Sequence, residues 1–485
     1  MTSGLIIFTT LLYSLNMAFS SDNNEIINKY VKALKENNAV VFAGAGLSIK
    51  SGFFDWKQLL KPMADSLGLD INENQDLTAL AQYYVEERGG RGDLNQILVD
   101  HYNNLDVKIS ESHRILSRLP IQIYWTTNFD NLIEQSLIES GKTPDIKKTQ
   151  DDLSVNLPKR DAIVYKMHGD IALASDTVLT KHEYEDYNKS RELFSNAFKA
   201  DFISRTFLFI GFSFTDPNLD YLISRIRTTV GTNKKPDYYF LKKEADSNAY
   251  HRQKIRANSL KHYGLYAIWV EDYDEIENIL KEIEIRYLRN SIFISGSADI
   301  YDPFNRDDAV KFIHNLSLEL SKDEYKIVSG FGLGVGSAVI NGVLENMENK
   351  RNQNLDYYIL MRPFPQFPTG GKDLKQLWTE YRNKFIPLAG IAIFVFGNIN
   401  ERKDLAGGMQ EEFDIAIEKG LKVIPIGATG YISEILLNKV ISSFKTYYPE
   451  NTHLLPLFKS LNDKGISLNE HISTTVKIIN NLNNN

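Results

Sequence analysis

The hydrophobic pattern changes period early in the chain. Ile26, Ile27, Tyr30, Val31 and Leu34 fall on one face of a helix, and Ala39-Val40-Val41-Phe42 then makes a short unbroken apolar run, as in a strand covered on both faces. Similar runs recur at 121–125, 163–165, 207–210, 238–241 and 265–270, separated by segments of helical length and polarity. They predict a parallel sheet. A second series at 292–294, 325–328, 357–360, 391–396 and 423–426, again alternating with helical patterns such as Val310, Ile313, Leu316 and Leu320, predicts a second α/β domain. Near residues 287–291 the charged helical stretch 274–286 gives way to a new strand. The expected segments are therefore 22–286 and 290–485, with the Asn-rich tail 480–485 expected to fray.

The chain has 485 residues, enough for more than one core, and its 43% hydrophobic and 24% charged residues exclude wholesale disorder and a polytopic membrane protein. A net charge of -7 supplies no electrostatic footprint for a polyanion, so nucleic acid is not an expected partner. With no cysteine, disulfides, thiolate metal sites and a catalytic thiol are excluded. Residues 1–21 form an apolar extension in which the first charged residue is Asp22 and the first basic residue Lys29. It lacks the basic start of an export signal and the length of a membrane span. Two readings stay open: membrane association through residues 4–20, or a true start at Met17.

Ligands of open α/β sheets bind beyond the carboxyl ends of the strands. After the first strand comes Ala43-Gly44-Ala45-Gly46-Leu47-Ser48, a turn that suits either a pyrophosphate or close packing. Thr126-Thr127-Asn128-Phe129-Asp130, Lys166-Met167-His168-Gly169-Asp170 and Gly211-Phe212-Ser213 follow three further strands. Asp216-Pro217 reads as a helix cap and first helical residue, and Asp130 also has a capping reading. This arrangement is Rossmann-like, and the expected fold class is α/β with two such domains, each a mostly parallel sheet flanked by helices.

Gly44-Ala45-Gly46-Leu47-Ser48, Gly52-Phe53-Phe54-Asp55, Thr127-Asn128-Phe129-Asp130, His168-Gly169 and Gly211-Phe212-Ser213 occur in the order of the sirtuin NAD-binding signature, and residues 25–285 resemble that family. The resemblance implies NAD as substrate. It makes His168 the base acting on a ribose hydroxyl or water and Asn128 the group that holds that hydroxyl or water. Gly44, Ala45, Gly46 and Ser48 would line the pyrophosphate, and Asp130 would orient the nicotinamide half. Gly211 and Ser213 would complete the NAD-contacting set, Ser213 at the adenosine half. Sirtuin deacylases carry a four-cysteine zinc module that this chain cannot build, so NAD cleavage without an acyl-lysine partner, and without a metal, is expected.

In the second domain, Ser329-Gly330-Phe331-Gly332-Leu333-Gly334-Val335-Gly336-Ser337 joins a strand to a helix, as a phosphate cradle or a packing turn would. Ser295-Gly296-Ser297 and Arg362 close two other strands. This domain resembles the SLOG superfamily of nucleotide-ligand proteins. Its segment Gly407-Gly408-Met409-Gln410-Glu411-Glu412-Phe413 lacks the inner Gly-Thr of the catalytic members, which leaves recognition as the expected role. By position, the signal-binding candidates are Ser295, Gly296, Gly332, Gly334, Arg362 and Glu412, with Lys384 and Asn398 as further candidates.

The succession of these two domains resembles the effector family of Thoeris anti-phage defence. That resemblance implies a cytoplasmic, NAD-depleting homotetramer activated by a cyclic ADP-ribose isomer that a TIR-domain protein makes. An oligomer also follows from energetics. A switch from about 1:99 to 99:1 needs roughly 5.5 kcal/mol of differential binding, whereas one site couples by about 1–3 kcal/mol. Two alternatives remain: an NAD-dependent protein deacylase and a non-catalytic nucleotide-binding regulator.

Overall fold

The computed structural model describes residues 19–53, 55–72, 76–103, 107–212, 235–348, 350, 354–400 and 404–484. The chain divides between Glu284 and Ile285 into two compact units. The first contains a seven-stranded sheet of β1 (Ala39–Ala43), β2 (Ile123–Thr126), β3 (Pro144–Lys147), β4 (Ala162–Lys166), β5 (Thr206–Ile210), β6 (Asp237–Lys242) and β7 (Leu265–Val270), in the order β3-β4-β2-β1-β5-β6-β7. Every strand pair in it is parallel.

β1 and β5 are buried along their whole length, which is why they read as unbroken apolar runs. The helix Ser21–Lys35 starts where Ser20 Oγ accepts from the Asn23 amide at 3.2 Å, and it buries the apolar face anticipated from its spacing. The helix Glu192–Ser204 sends Phe194, Phe198 and Phe202 into the core, where Phe198 and Trp125 meet edge to face at 5.3 Å.

β3 was not anticipated. It begins with proline and is an edge strand, and its buried positions hold Asp145 and Lys147, an ion pair at 2.9 Å joined by Arg160 at 2.6 Å. A strand whose inward side chains are charged carries no apolar period to read.

The second unit contains a five-stranded, all-parallel sheet of β8 (Ser291–Ser297), β9 (Lys326–Ser329), β10 (Ile359–Met361), β11 (Ile391–Phe396) and β12 (Lys422–Pro425), in the order β10-β9-β8-β11-β12. The run expected at 357–360 divides, because Leu355–Tyr357 is a short 3-10 turn held by the Asn354 side chain, and the strand starts at Ile359. Residues 480–484 are helical where fraying was expected. The helix Leu468–Asn484 buries Ile478, Ile479 and Leu482, and Asn483 Nδ2 donates to Tyr325 Oη at 2.9 Å. Among the described residues no helix is long and apolar enough to cross a membrane, and residues 1–18 of the N-terminal extension lie outside them.

Both sheets reverse direction at a central strand. β2 and β5 lie on opposite sides of β1, and β9 and β11 lie on opposite sides of β8. Crevices at such switch points are where doubly wound sheets bind nucleotides.

Candidate functional site

In the first unit the register levels the strand ends. Ala43 pairs with Thr126 and with Ile210, and Thr126 pairs with Lys166. The loops at 44–48, 127–130, 167–170 and 211–212 therefore leave the sheet on one edge. Asn128 stands two residues past Thr126, as His168 does past Lys166.

The glycine turn is interlocked with the loop after β5. The Gly44 amide donates to Ile210 O and the Gly46 amide to Gly211 O, both at 2.9 Å. A Cβ on Gly44 would stand 2.5 Å from Gly211 O, and one on Gly211 would stand 2.1 Å from Leu47 N, with Gly211 itself at φ +64. Gly44 and Gly46, named from sequence as lining a pyrophosphate, thus stand at the end of β1 against the loop after β5. Their amides are engaged, and their missing side chains permit backbone contact. Ala45 is half-buried and begins the short helix Ala45–Ser48. Ser213, Thr215, Asp216 and Pro217 lie outside the described residues.

Ser48, Asn128 and Asp130 form one buried network. Asn128 Nδ2 donates to Gly44 O at 3.1 Å and to Ser48 Oγ at 3.0 Å. Ser48 Oγ donates in turn to Asp130 Oδ2 at 2.8 Å, and Asp130 Oδ1 accepts from the Leu132 amide at 3.0 Å. Because Gly44 O can only accept, the amide orientation of Asn128 is determined by the network. Asn128 Oδ1 is left as a buried oxygen without a hydrogen-bond partner among the described residues. Leaving such an acceptor unpaired costs about 1–3 kcal/mol, which a ligand hydroxyl or water would recover.

His168 is buried, with Nδ1 3.4 Å from Tyr184 Oη and its ring edge to face with Tyr184 and Tyr187. Gly169 turns the chain at φ +92, where a Cβ would meet Asp176 O at 2.8 Å. Both tyrosines escaped the sequence reading because they lie on short helices beyond the motif. His113 escaped it too. It is buried, its Nδ1 lies 2.8 Å from Ser110 Oγ, and burial pushes its pKa down to about 4 against the opposing pull of Asp130.

A cavity of about 560 Å³ adjoins this site and is lined by Glu134, Ile138, Ile146, Lys148, Asp170 and Ile171 among others. It shares Asp170 with the His168 turn, but neither Asn128 nor His168 lines it.

In the second unit Ser295 and Glu412 meet directly. Ser295 Oγ donates to Glu412 Oε2 at 2.6 Å, and Arg382 reaches Glu412 Oε1 at 3.2 Å and Glu411 Oε2 at 2.7 Å. Burial raises the pKa of Glu412, and Arg382 opposes that rise. The Arg382 guanidinium lies 4.9 Å from the centre of the Phe364 ring, and a Cβ on Gly408 would meet Arg382 Nη2 at 2.5 Å. Arg382 had no sequence signal, since it sits inside an ordinary amphipathic helix.

Gly296, Gly332 and Gly334 again serve close approach. A Cβ on Gly332 would fall 1.9 Å from Gly296 O, one on Gly334 (φ +67) 1.9 Å from Ala298 O, and one on Gly296 2.8 Å from Val395. Arg362 is exposed at the end of β10, where its amide donates to Ser329 O at 2.9 Å.

Two further candidates stand apart from the Ser295–Glu412 pair. Lys384 is exposed, two residues and so about 200° around the helix from buried Arg382. Asn398 is fully buried, its Oδ1 accepting from the Asp299 and Ile300 amides at 2.9 and 3.1 Å and its Nδ2 donating to Ile300 O at 2.8 Å. Its amide shapes the loop after β8.

Two Rossmann-like α/β domains in tandem, the first sirtuin-like and the second SLOG-like, are the class that this fold defines. A family model described as SIR2-like domain matches residues 122–268, and the Sir2- and TIR-associating SLOG family (STALD) matches residues 275–482. The chain is 45% identical over 483 residues to the NAD(+) hydrolase ThsA of Cytobacillus dafuensis, covering 96% of this chain and 97% of that protein. It is 42% identical to its counterpart in Bacillus cereus (strain MSX-D12), covering 94% and 98%, and 41% identical to that of Enterococcus faecium, covering 89% and 93%. The chain belongs to the ThsA family.

Proposed function

We propose that this chain is an NAD+ hydrolase effector of anti-phage defence, acting in the cytoplasm and releasing nicotinamide and ADP-ribose. Its relatives are named as NAD(+) hydrolases. The observation that carries the reading is the orphaned Asn128 Oδ1, a fixed acceptor on a rigid network one strand from His168. A ribose hydroxyl or the attacking water supplies the donor it lacks. The C1′–nitrogen bond breaks with its electron pair passing to the nicotinamide ring, which is thereby neutralised. Water then adds at C1′, and His168 takes the proton. The leaving group departs readily, so positioning and a base matter more than a strong acid.

The second unit is the sensor. Ser295, Arg362, Glu412 and Arg382 present a polar, charge-bearing set at the ends of β8 and β10 and on neighbouring helices, suited to a phosphate-bearing nucleotide. The proposed ligand is a cyclic ADP-ribose isomer made by a TIR-domain protein. The name of the matching family supports a TIR association, and a homotetramer supplies the several sites that the switching energetics require.

The test is to incubate purified protein with NAD, with and without the products of a TIR-domain enzyme, and to follow nicotinamide and ADP-ribose by chromatography. Signal-dependent release is expected. His168→Ala and Asn128→Ala should still bind NAD but cleave it about 10²–10⁴-fold more slowly, and full turnover in both variants would overturn the assignment. Release that ignores the signal would remove the sensor role and leave the hydrolase.

A further inference from the structure

We propose that Lys166 is a positioning residue for NAD cleavage, a buried ammonium that ties the Asn128 loop to the His168 loop. The proposal rests on the assignment of those two residues above. Lys166 ends β4 and is 0% exposed. Its Nζ donates to Phe129 O at 3.1 Å and to Asp130 O, and it lies 2.7 Å from Asp170 Oδ2 and 3.3 Å from Glu134 Oε1. One ammonium thus contacts the backbone of the Asn128 loop, the helix that follows that loop, and the far end of the His168 turn.

Two of these contacts lead towards Asn128 and His168. Asp130, whose carbonyl oxygen Lys166 holds, uses its carboxylate to fix Ser48, and Ser48 accepts from Asn128. His168 lies midway in sequence between Lys166 and Asp170, so the ion pair spans the turn that carries it. Asp170 braces the other side, accepting from the Ala172 amide at 2.8 Å and pairing with Lys148 at 3.2 Å. Backbone bonds from Met167 N to Thr126 O at 2.9 Å and from Ile171 N to Phe129 O at 3.0 Å join the same loops before and after His168, and Lys166 spans the interval between them.

A lysine is a poor choice if only stability is served. Burial penalises its charge, and apolar side chains of similar volume often replace buried ion pairs without loss. Burial alone would lower the pKa of this ammonium, yet Glu134 and Asp170 raise it above the ordinary lysine value, so the group stays charged. What the charge provides is two hydrogen bonds to the Asn128 loop together with ion-pair contacts to Glu134 and to Asp170 at the end of the His168 turn. Displacing either loop by about 1 Å is enough to lower a rate on the order of 10²-fold.

The experiment uses the full chain supplied with TIR-enzyme products and compares wild type, Lys166→Met, the neutral triple variant Lys166→Met/Glu134→Gln/Asp170→Asn, and Asn128→Ala. The triple variant removes the buried charges while keeping volume and the Asp170 turn acceptor. We expect kcat per NAD-binding site, counted by calorimetry, to fall about 10²-fold in both lysine variants with KM within about threefold of wild type. Wild-type kcat in the triple variant would overturn the proposal. Loss of NAD binding in both lysine variants would also overturn it, because Lys166 would then be structural. If Asn128→Ala itself cleaves NAD at the wild-type rate, it is the underlying site assignment that fails.

Discussion

Gly211→Ala is the sharpest test of the interlock between the β1 and β5 loops. Two penalties apply. The residue sits at φ +64, and a left-handed conformation costs a residue with a Cβ about 1–2 kcal/mol. The new Cβ would also stand 2.1 Å from Leu47 N, 2.6 Å from Gly46 C and 2.9 Å from Gly44 O, all backbone atoms that no rotamer change can clear. Overpacking of this kind adds about 1–3 kcal/mol, for a total of about 2–5 kcal/mol. Gly264→Ala separates the two penalties, since Gly264 is at φ +81 with nothing within 4 Å of its Cβ. It should lose only the conformational part, about 1–2 kcal/mol.

The two variants are compared by urea unfolding followed through tryptophan fluorescence, to which Trp56, Trp125 and Trp269 report from the first unit. NAD cleavage is measured on the same samples. Gly211→Ala should be the less stable and should also lose cleavage, because Gly44 O and Ser48 both hold Asn128. Equal midpoints for the two variants, with cleavage intact, would refute the reasoning.

Other expectations follow from the same geometry. His113 is held neutral, with its pKa near 4 in the fold against 6.5 when exposed, so the folded state binds fewer protons between those values. Its contribution is complete above about pH 6.5 and is lost as pH falls towards 4, by up to about 3 kcal/mol; in urea titrations His113→Phe should flatten this part of the pH profile, and an unchanged profile would contradict the burial. Arg382→Met leaves Glu412 buried without its cation and should cost about 3–5 kcal/mol in thermal or urea unfolding, whereas Lys384→Ala should stay within about 0.5 kcal/mol. Gly332→Ala places a Cβ 1.9 Å from Gly296 O and should abolish binding of TIR-enzyme products in calorimetry, and normal binding would show that the loop can open there.

Strands covered on both faces were legible from sequence because burial on two sides demands an unbroken apolar run, and β1, β5 and β11 satisfy that. The edge strand β3 was not, because Asp145 and Lys147 neutralise each other at its buried positions. Among the site residues, spacing located the loops but could not say which atoms were already engaged. Ser48, Asn128 and Asp130 were found as separate candidates, and only the structure joins them into one network with a single orphaned oxygen among its described partners. Asn398, a further candidate two residues past β11, and Glu412, from the segment 407–413, were both named from sequence position. One proves to be saturated by backbone, and the other meets Ser295 and Arg382.

The two units share a construction that sequence shows only as alternating glycines. In each, a glycine turn closes against a backbone carbonyl at the end of a neighbouring strand, Gly44 on Gly211 just past β5 and Gly332 on Gly296 near the end of β8. Such a turn holds two strand ends together at the switch point with no side chain between them. In the first unit the amides of Gly44 and Gly46 are occupied in making that closure, so discrimination between ligands falls to the side chains it brings within reach. A substitution that preserves the closure but changes Asn128 should therefore alter chemistry at a stability cost limited to the two hydrogen bonds it makes, and one that opens the closure should cost more stability as well as chemistry.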